Sequence, residues 1–220
     1  MVDRDTLLDA ALPHVAFDGW SDETFAAACE DTGITLANGR AICPRGSVDL
    51  AASYHKRADA TISAAVLGEM RYSERVAELV WRRIQAVDKE VVRRGMALFA
   101  LPQHAAEGTA LIWGTADAIW SALGDRSDDL NWYSKRAILS GVVSSSVLFW
   151  LGDTSEGDTD TRAFIDRRIA DVMRFEKFKG RVRENPALKP LTGLFGRIAA
   201  AVPAPKTGPV EGYPGWVKGK

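Results

Sequence analysis

The chain of 220 residues has few cysteines that could form disulfide bonds and no apolar run long enough for a transmembrane helix. It contains only two cysteines, Cys29 and Cys43, which form no disulfide framework and indicate a reducing compartment. Its most apolar run, residues 137–151, is interrupted by serines and is too short for a transmembrane helix, so it predicts a buried helix. Because 46% of its residues are hydrophobic, a chain of this length can bury a large core without disulfide bonds or a structural metal ion.

The net charge is close to zero but unevenly distributed. The whole chain has a net charge of −1, so it lacks the excess of positive charge that is typical of nucleic-acid-binding proteins. Residues 174–220 hold ten Lys or Arg and three Glu, a net charge of +7, so the rest of the chain carries −8. This basic end predicts either contact with an anionic surface such as a membrane or a solvated and partly disordered tail, and composition favours the tail.

Catalytic motifs are also lacking. The three histidines, His14, His55 and His104, fall in separate predicted elements, without partners at metal-ligand spacing. The sequence has no phosphate loop, dinucleotide fingerprint or nucleophile elbow. Residues 153–160 are out of register with a calcium loop, and capping of the next helix by Asp158 or Asp160 explains their acids better. The sequence therefore predicts a protein that is not an enzyme, with no metal and no cofactor.

Strand-like alternation is absent, and apolar residues recur at spacings of three and four, which predicts an all-α fold. Three short helices are expected over residues 3–17, 21–31 and 34–42, the second capped by Ser21, with the outline of a helix-turn-helix. The third offers only Asn38 and Arg40 for reading DNA, within a head that has more acids than bases. We therefore predict a degenerate helix-turn-helix that does not bind nucleic acid.

Longer helices follow. Residues 46–70 and 73–102 each predict one helix, the second starting at a Ser73 cap, carrying one apolar stripe and stopped by Pro102. Three more helices complete the prediction: one over residues 107–124, a second that ends at Leu151, and a third over residues 161–182. The expected organisation is a single helical domain over residues 1–180, with a head (1–70) and a bundle (71–180), followed by a tethered end (181–220).

Seven tryptophans are many for this length, and five of them lie in the bundle region among small residues. A large core would explain them, whereas small side chains on facing helices could also leave an apolar cavity for a lipid. The residues predicted to line such a pocket are Trp81, Ile84, Met96, Phe99, Ile112, Trp113, Ala116, Ile119, Trp120, Val143, Val147 and Trp150.

A separate amphipathic helix is predicted over residues 187–202. Prolines flank it, and its apolar residues form a narrow stripe: Leu188, Leu191, Leu194, Phe195, Ile198 and Val202. A weakly cationic helix of this kind on a tether can lie at a bilayer surface or dock into a groove of its own or another subunit. The sequence alone leaves both possibilities open.

Three stretches resemble a known family: "LFALPQ" at 98–103, residues 113–155, and "DTRAFIDRRIADVM" at 160–173. Together they are similar to the signature of the ubiquinone (coenzyme Q) biosynthesis accessory lipid-binding proteins. The block "GDRSDDLNWYSKR" at 124–136 is long and specific. The resemblance is strong over residues 70–180 and looser in the head, which includes "CPRGSVDL".

The resemblance implies a fold like that of the tetracycline-repressor (TetR) regulators, a homodimer, and a bound isoprenoid or phospholipid. It implies that the protein takes quinone intermediates from membrane lipids and presents them to the demethoxyubiquinone hydroxylase. Matching the motif places a partner-binding surface at Asp129, Asn131, Trp132, Tyr133, Lys135 and Arg136. The family's membrane helix would correspond to residues 187–202.

The start of the chain has neither a secretory signal nor an Arg-rich transit peptide, from which we expect a bacterial cytoplasmic protein that is peripheral at the inner membrane. The alternative function is a ligand-responsive transcription regulator of the same TetR-like fold. That function would need a cationic recognition helix, which the sequence lacks.

Overall fold

The computed structural model describes residues 2–63, 65, 67–125 and 130–184, and of residues 130–131 and 175–184 only the backbone. Within these ranges the chain forms α-helices, one 3₁₀ turn (Glu156–Asp158) and no strand, which confirms the predicted all-α class. The helices are α1 (Arg4–Asp18), α2 (Asp22–Asp31), α3 (Leu36–Ile42), α4 (Ser47–Ser63), α5 (Tyr72–Gln85), α6 (Lys89–Phe99), α7 (Ala105–Ala122), α8 (Leu130–Gly152) and α9 (Thr159–Glu184).

The head is built from α1 to α4 around its own apolar cluster, which includes Leu7, Phe25 and Leu50. Ser21 caps α2 as predicted, because its hydroxyl accepts a hydrogen bond from the Thr24 amide at 3.2 Å. Gly39 allows α3 to lie directly on α2. A Cβ at this position would overlap the sulfur of Cys29, so only glycine permits this close approach.

The single helix predicted over residues 73–102 is wrong, because the chain forms two helices there, α5 and α6. Asp88 interrupts the run by capping α6, since its carboxylate accepts hydrogen bonds from the amides of Glu90 and Val91 at 2.8 and 3.0 Å. The amide of Asp88 in turn donates to the hydroxyl of Tyr54 on α4 at 2.8 Å. Two other limits also differ from prediction: α4 ends at Ser63, and α5 begins at Tyr72, before the expected Ser73 cap.

A second apolar cluster lies in the bundle, between α4, α5, α7, α8 and α9. Helix α6 follows the predicted head in sequence, yet its Val91 is buried in the head cluster, and Leu98 and Phe99 pack against that cluster. Arg45, just before α4, adds a polar link between head and bundle. Its guanidinium donates to both carboxylate oxygens of Glu107 on α7, at 2.7 and 2.9 Å, and to Asp49 at 2.8 Å.

The predicted capping of the last helix by Asp158 or Asp160 is wrong, because Asp153 performs it. The Asp153 carboxylate accepts hydrogen bonds from the amides of Ser155 and Thr161, each at 2.8 Å. Asp158 instead accepts from the Nζ of Lys89 and from the indole nitrogen of Trp150, each at 2.9 Å. The loop therefore ties α6 and α8 to the start of α9.

Among the described helices, none is both long enough and apolar enough to cross a membrane. The described residues also contain no group of three or more His, Cys, Asp or Glu side chains that could hold a metal ion. The predicted amphipathic helix over residues 187–202 lies outside the described residues.

Candidate functional site: an apolar cavity and an aromatic cluster

A cavity of about 350 Å³ lies between the head and the bundle, with walls from α4, α5, α6, α7 and α8. This volume is at the lower end of the range usual for small-molecule sites. Seven of the residues that the sequence predicted for a lipid pocket lie in its wall: Ile84, Met96, Phe99, Ile112, Val143, Val147 and Trp150.

Five other residues predicted for the pocket do not line this cavity. Ala116, Ile119 and Trp120 are buried in the bundle cluster instead. Trp81 packs against that cluster with the guanidinium of Arg162 over its ring, and Trp113 lies against aromatic residues of α8. For Ala116, Ile119 and Trp120 the reason is their position on α7, because that helix lines the cavity only between Ala105 and Thr115 and these three residues follow and face the bundle core.

Several wall residues come from the head or its edge and were missed by sequence reasoning: Trp20, Ala51, Tyr54 and His55. Ala51, Tyr54 and His55 recur at helical spacing on α4, which is a signal for a buried face but not for a cavity. Four wall residues are exposed to solvent and mark the opening: Ala100, Ala105, Thr109 and Leu148. The opening therefore lies where α6 ends and α7 begins, beside the last turns of α8.

A polar network lies at the part of the wall formed by α4, α5 and α7. The Nε2 atom of His55 lies 2.8 Å from the hydroxyl of Thr115, and that hydroxyl donates to Asp59 at 2.9 Å. The Nε atom of Arg83 donates to the same Asp59 oxygen at 2.6 Å, and its Nη2 donates to the backbone carbonyl of His55 at 3.3 Å. Among these four residues, His55, Arg83 and Thr115 line the cavity.

The charge state of this network follows from its burial. Arg83 is only 8% exposed, and its charge is compensated by the Asp59 carboxylate. Burial, and next the positive charge of Arg83, lower the pKa of His55 to about 4. His55 is therefore a neutral imidazole at neutral pH, and the network holds one ion pair and one neutral ring.

A second candidate feature is the aromatic cluster formed by Trp113 of α7 with Trp132 and Tyr133 of α8. The ring centroids of Trp113 and Trp132 are 5.9 Å apart, and those of Trp132 and Tyr133 are 4.9 Å apart in an edge-on arrangement. All three residues are partly exposed. Partly exposed, rigid aromatic side chains of this kind are typical of the residues that dominate protein–protein interfaces.

The buried side chain of Arg136 packs against the Trp132 ring and supports this cluster. It is 3% exposed, its Nε lies 2.6 Å from Asp117, and its guanidinium carbon lies 3.9 Å from the centroid of the Trp132 ring. Its Nη1 donates to the Trp132 carbonyl at 3.2 Å and lies 3.3 Å from Asp125. Arg136 is therefore a buried support for the aromatic rings and not the exposed contact residue that the sequence predicted.

The other predicted partner-binding residues are placed as follows. Trp132 and Tyr133 lie in the cluster, and Lys135 pairs with Asp125 at 2.7 Å and has its Nζ 5.5 Å from the centroid of Trp120. Asp129 lies outside the described residues, and the side chain of Asn131 does as well. The partner-binding role of these residues stays a prediction.

The fold is that of a TetR transcriptional regulator. The structure matches the crystal structure of such a regulator from Nitrosomonas europaea ATCC 19718 with a TM-score of 0.63, over 76% of this chain and 95% of that chain. The two sequences are 21% identical, so this likeness concerns the fold alone. It confirms the predicted TetR-like architecture.

The COQ9 family model matches residues 105–176, which span α7, α8 and most of α9. The chain is 27% identical over 190 residues to the probable ubiquinone biosynthesis protein coq9, mitochondrial, of Dictyostelium discoideum, covering 81% of this chain and 62% of that protein. It is 27% identical over 181 residues to the COQ9 protein of Rattus norvegicus, with 76% and 57% covered. These matches confirm the resemblance to the ubiquinone biosynthesis family, although the chain spans less than two thirds of these relatives' length.

Proposed function

We propose that this protein is a lipid-binding accessory protein of ubiquinone biosynthesis, which acts by binding and presenting an isoprenoid quinone intermediate and not by catalysis. The observation that carries the proposal is the apolar cavity, which opens to solvent between α6, α7 and α8. The names of the relatives support the pathway, since each matched protein is called a ubiquinone biosynthesis protein.

The composition of the cavity wall supports a ligand with an apolar tail. Aliphatic and aromatic side chains such as Met96, Ile112 and Val147 form most of its wall, and the exposed Leu148 stands at its opening. Apolar chains gain about 0.8 kcal/mol for each methylene group removed from water, so an isoprenoid would be held mainly by burial. A tail longer than the cavity would leave through the opening beside Leu148.

The proposed ligand transfer can be measured with vesicles. Protein is incubated with vesicles that contain demethoxyubiquinone, the vesicles are sedimented, and the quinone in the supernatant is quantified. We expect quinone to leave the vesicles in proportion to the protein added. Supernatants that contain no quinone above a serum-albumin control would contradict transfer.

We further propose that the aromatic cluster docks the demethoxyubiquinone hydroxylase. Its rings stand on the same pair of helices, α7 and α8, that form part of the cavity wall, so a docked enzyme would lie near the bound ligand. Trp132→Ala should weaken capture of the hydroxylase at least tenfold, as truncation of a central aromatic contact does. Trp20→Phe, a change in the cavity wall away from the cluster, should leave capture unchanged.

Membrane contact and a homodimer complete the proposal. We assign peripheral membrane contact to residues 187–202, which lie outside the described residues. For the dimer, α8 and α9 offer an apolar patch in which Phe149 is 37% exposed and its ring stacks on Phe164, with the ring centroids 4.4 Å apart. Sedimentation equilibrium should give twice the chain mass of 23.9 kDa.

The second candidate function is a ligand-responsive transcription regulator, which the shared fold favours. Helix α3 would have to read DNA, yet its Arg40 pairs with Asp22 at 2.8 Å and packs over the ring of Phe25. A cation engaged in this way contributes less to phosphate binding. A gel shift with genomic fragments at moderate salt should show no sequence-specific complex, and a specific complex would favour the regulator.

A further inference from the structure

The polar network of His55, Asp59, Arg83 and Thr115 is not explained by apolar burial. A buried ion pair costs desolvation that a pair of apolar side chains would avoid, so it adds little to stability by itself. Its position is specific, because three of its members line the cavity while the solvent opening is formed by other residues, at Ala100, Ala105, Thr109 and Leu148. A ligand whose tail lies at this opening would therefore have its other end beside the network, whereas the polar residue at the opening, Thr109, has its hydroxyl bonded within α7.

The direction of the hydrogen bonds fixes what this wall can offer. The Asp59 carboxylate and the Leu111 carbonyl only accept, so the single hydroxyl proton of Thr115 is donated to one of them, across 2.9 or 3.3 Å. The Thr115 oxygen must then accept from His55, and the proton of the neutral imidazole lies on Nε2. Nδ1 of His55 is consequently an unprotonated acceptor, and it has no hydrogen-bond partner among the described residues.

Arg83 supplies the complementary donor. Its Nε and Nη2 are occupied by Asp59 and by the His55 carbonyl, whereas its Nη1 has no hydrogen bond to any described residue. The wall thus combines one acceptor and one charged donor on two residues that are in contact, since the Arg83 guanidinium donates to the His55 carbonyl. An aromatic ring with a hydroxyl group and a neighbouring carbonyl or ether oxygen would satisfy both.

We propose that His55 and Arg83 form a head-group site that binds a hydroxylated aromatic ring at the inner end of the cavity, with the ring hydroxyl donating to Nδ1 of His55. This inference rests on the proposed function, because it assumes that the cavity holds a ligand with an apolar tail. It adds to that function the orientation of the ligand, with its head inside and its tail towards the opening. It also predicts that the cavity binds a phenol more tightly than a lipid of similar size that has no ring hydroxyl group.

The test compares two probes on the full-length protein: a decyl-substituted 2-methoxyphenol and its methyl ether. They differ in that a methyl group replaces the hydroxyl proton in the ether, and both report through the fluorescence of Trp20 and Trp150 in the cavity wall. We expect the phenol to bind the wild-type protein about five- to tenfold more tightly, the value of one net hydrogen bond. Equal affinities would overturn the head-group site while leaving lipid binding intact.

Two variants assign the effect to His55. His55→Gln keeps an amide donor near the position of Nε2 but has no atom at Nδ1. The ratio of the affinity for the phenol to the affinity for the ether should therefore fall to about one, while the affinity for the ether is unchanged. His104→Gln is the matched control, because it makes the same change at the start of α7, where His104 does not line the cavity and its side chain makes no cap hydrogen bond. A preference that survives in His55→Gln would overturn the assignment.

The wild-type comparison does not depend on a variant that folds, so the proposal stays testable if His55→Gln is unstable. If neither probe binds, nor decylbenzene, the cavity does not hold apolar tails, and both the proposed function and the head-group site are contradicted. If decylbenzene binds as well as the phenol, only the head-group site is contradicted.

Discussion

The Nε2 atom of His55 on α4 lies 2.8 Å from the hydroxyl oxygen of Thr115 on α7, so a partly buried hydrogen bond joins the head to the bundle beside the cavity. Burial and Arg83 lower the pKa of this imidazole to about 4, below the value near 6.5 of an unfolded histidine. Between these two values the unfolded chain binds the extra proton and the folded chain does not. Stability is therefore full above about pH 6.5 and falls as the pH drops towards 4.

We predict that His55→Gln removes part of this pH dependence. Between pH 7 and pH 5 the wild-type protein should lose on the order of 1–2 kcal/mol more than the variant, because one pKa unit corresponds to about 1.4 kcal/mol. Urea unfolding at the two pH values measures the difference. His104→Gln, at the start of α7, is the matched control, and identical pH slopes for wild type and His55→Gln would contradict the assignment.

The second prediction concerns Arg136, whose removal leaves Asp125 with Lys135 at 2.7 Å but without the guanidinium, and leaves Trp132 without its supporting cation. Arg136 also pairs with Asp117, and hydrogen bonds to charged groups contribute about 1.5–3 kcal/mol, so Arg136→Met should destabilise the fold by about 2 kcal/mol. Thermal unfolding measures this loss. Arg174→Met, whose side chain is 75% exposed, should change stability by less than about 0.5 kcal/mol, and equal effects of the two changes would refute a buried role for Arg136.

The third prediction concerns the link between Arg45 and Glu107. A double-mutant cycle with Arg45→Met and Glu107→Gln should give a coupling of about 1 kcal/mol, because the contact is bidentate and Glu107 is only 29% exposed. The pair of Arg40 and Asp22 is the control. Its side chains are 45% and 80% exposed, so its coupling should stay below about 0.5 kcal/mol; a larger coupling there than at Arg45 would contradict the head-to-bundle link.

The fourth prediction concerns Asp153, which caps α9. Hydrogen bonds from the side chains of Thr161 and Ser155, followed by their amides, hold the pKa of Asp153 well below its usual value. Its stabilising effect is therefore complete above about pH 4 and is lost as the pH falls through the lowered pKa. Asp153→Asn should be less stable than wild type at pH 7, and the gap should narrow at pH 3 in chemical unfolding. A gap that is constant with pH would show that the charge is unimportant.

Much of the fold could be predicted from the sequence because helices that bury one face leave a spacing of three and four. The break between α5 and α6 could not, since Val87 and Val91 continue the apolar stripe through it. What ends α5 there is the cap at Asp88 together with the hydrogen bond that the Asp88 amide donates to the hydroxyl of Tyr54, 34 residues away. Such long-range contacts are invisible to periodicity.

The site was predicted in part for the same reason. Bulky apolar residues such as Met96 and Phe99 could be predicted as wall residues, but the polar inner wall could not. His55 and Thr115 are 60 residues apart, and nothing local connects them. Arg136 shows the converse error, because a cation in a recognition-like motif was expected at the surface, whereas Asp117, Asp125 and the Trp132 ring keep it buried.

The central claim is that the cavity between head and bundle holds an apolar ligand, and native mass spectrometry of the purified protein tests it most directly. Ser144→Phe places a ring in the cavity wall, and Gly141→Phe places the same ring one turn earlier on α8, where a side chain would meet open space. We predict that wild type and Gly141→Phe carry an extractable isoprenoid or phospholipid and that Ser144→Phe does not. Equal lipid occupancy in all three proteins, or none in the wild type, would contradict the claim.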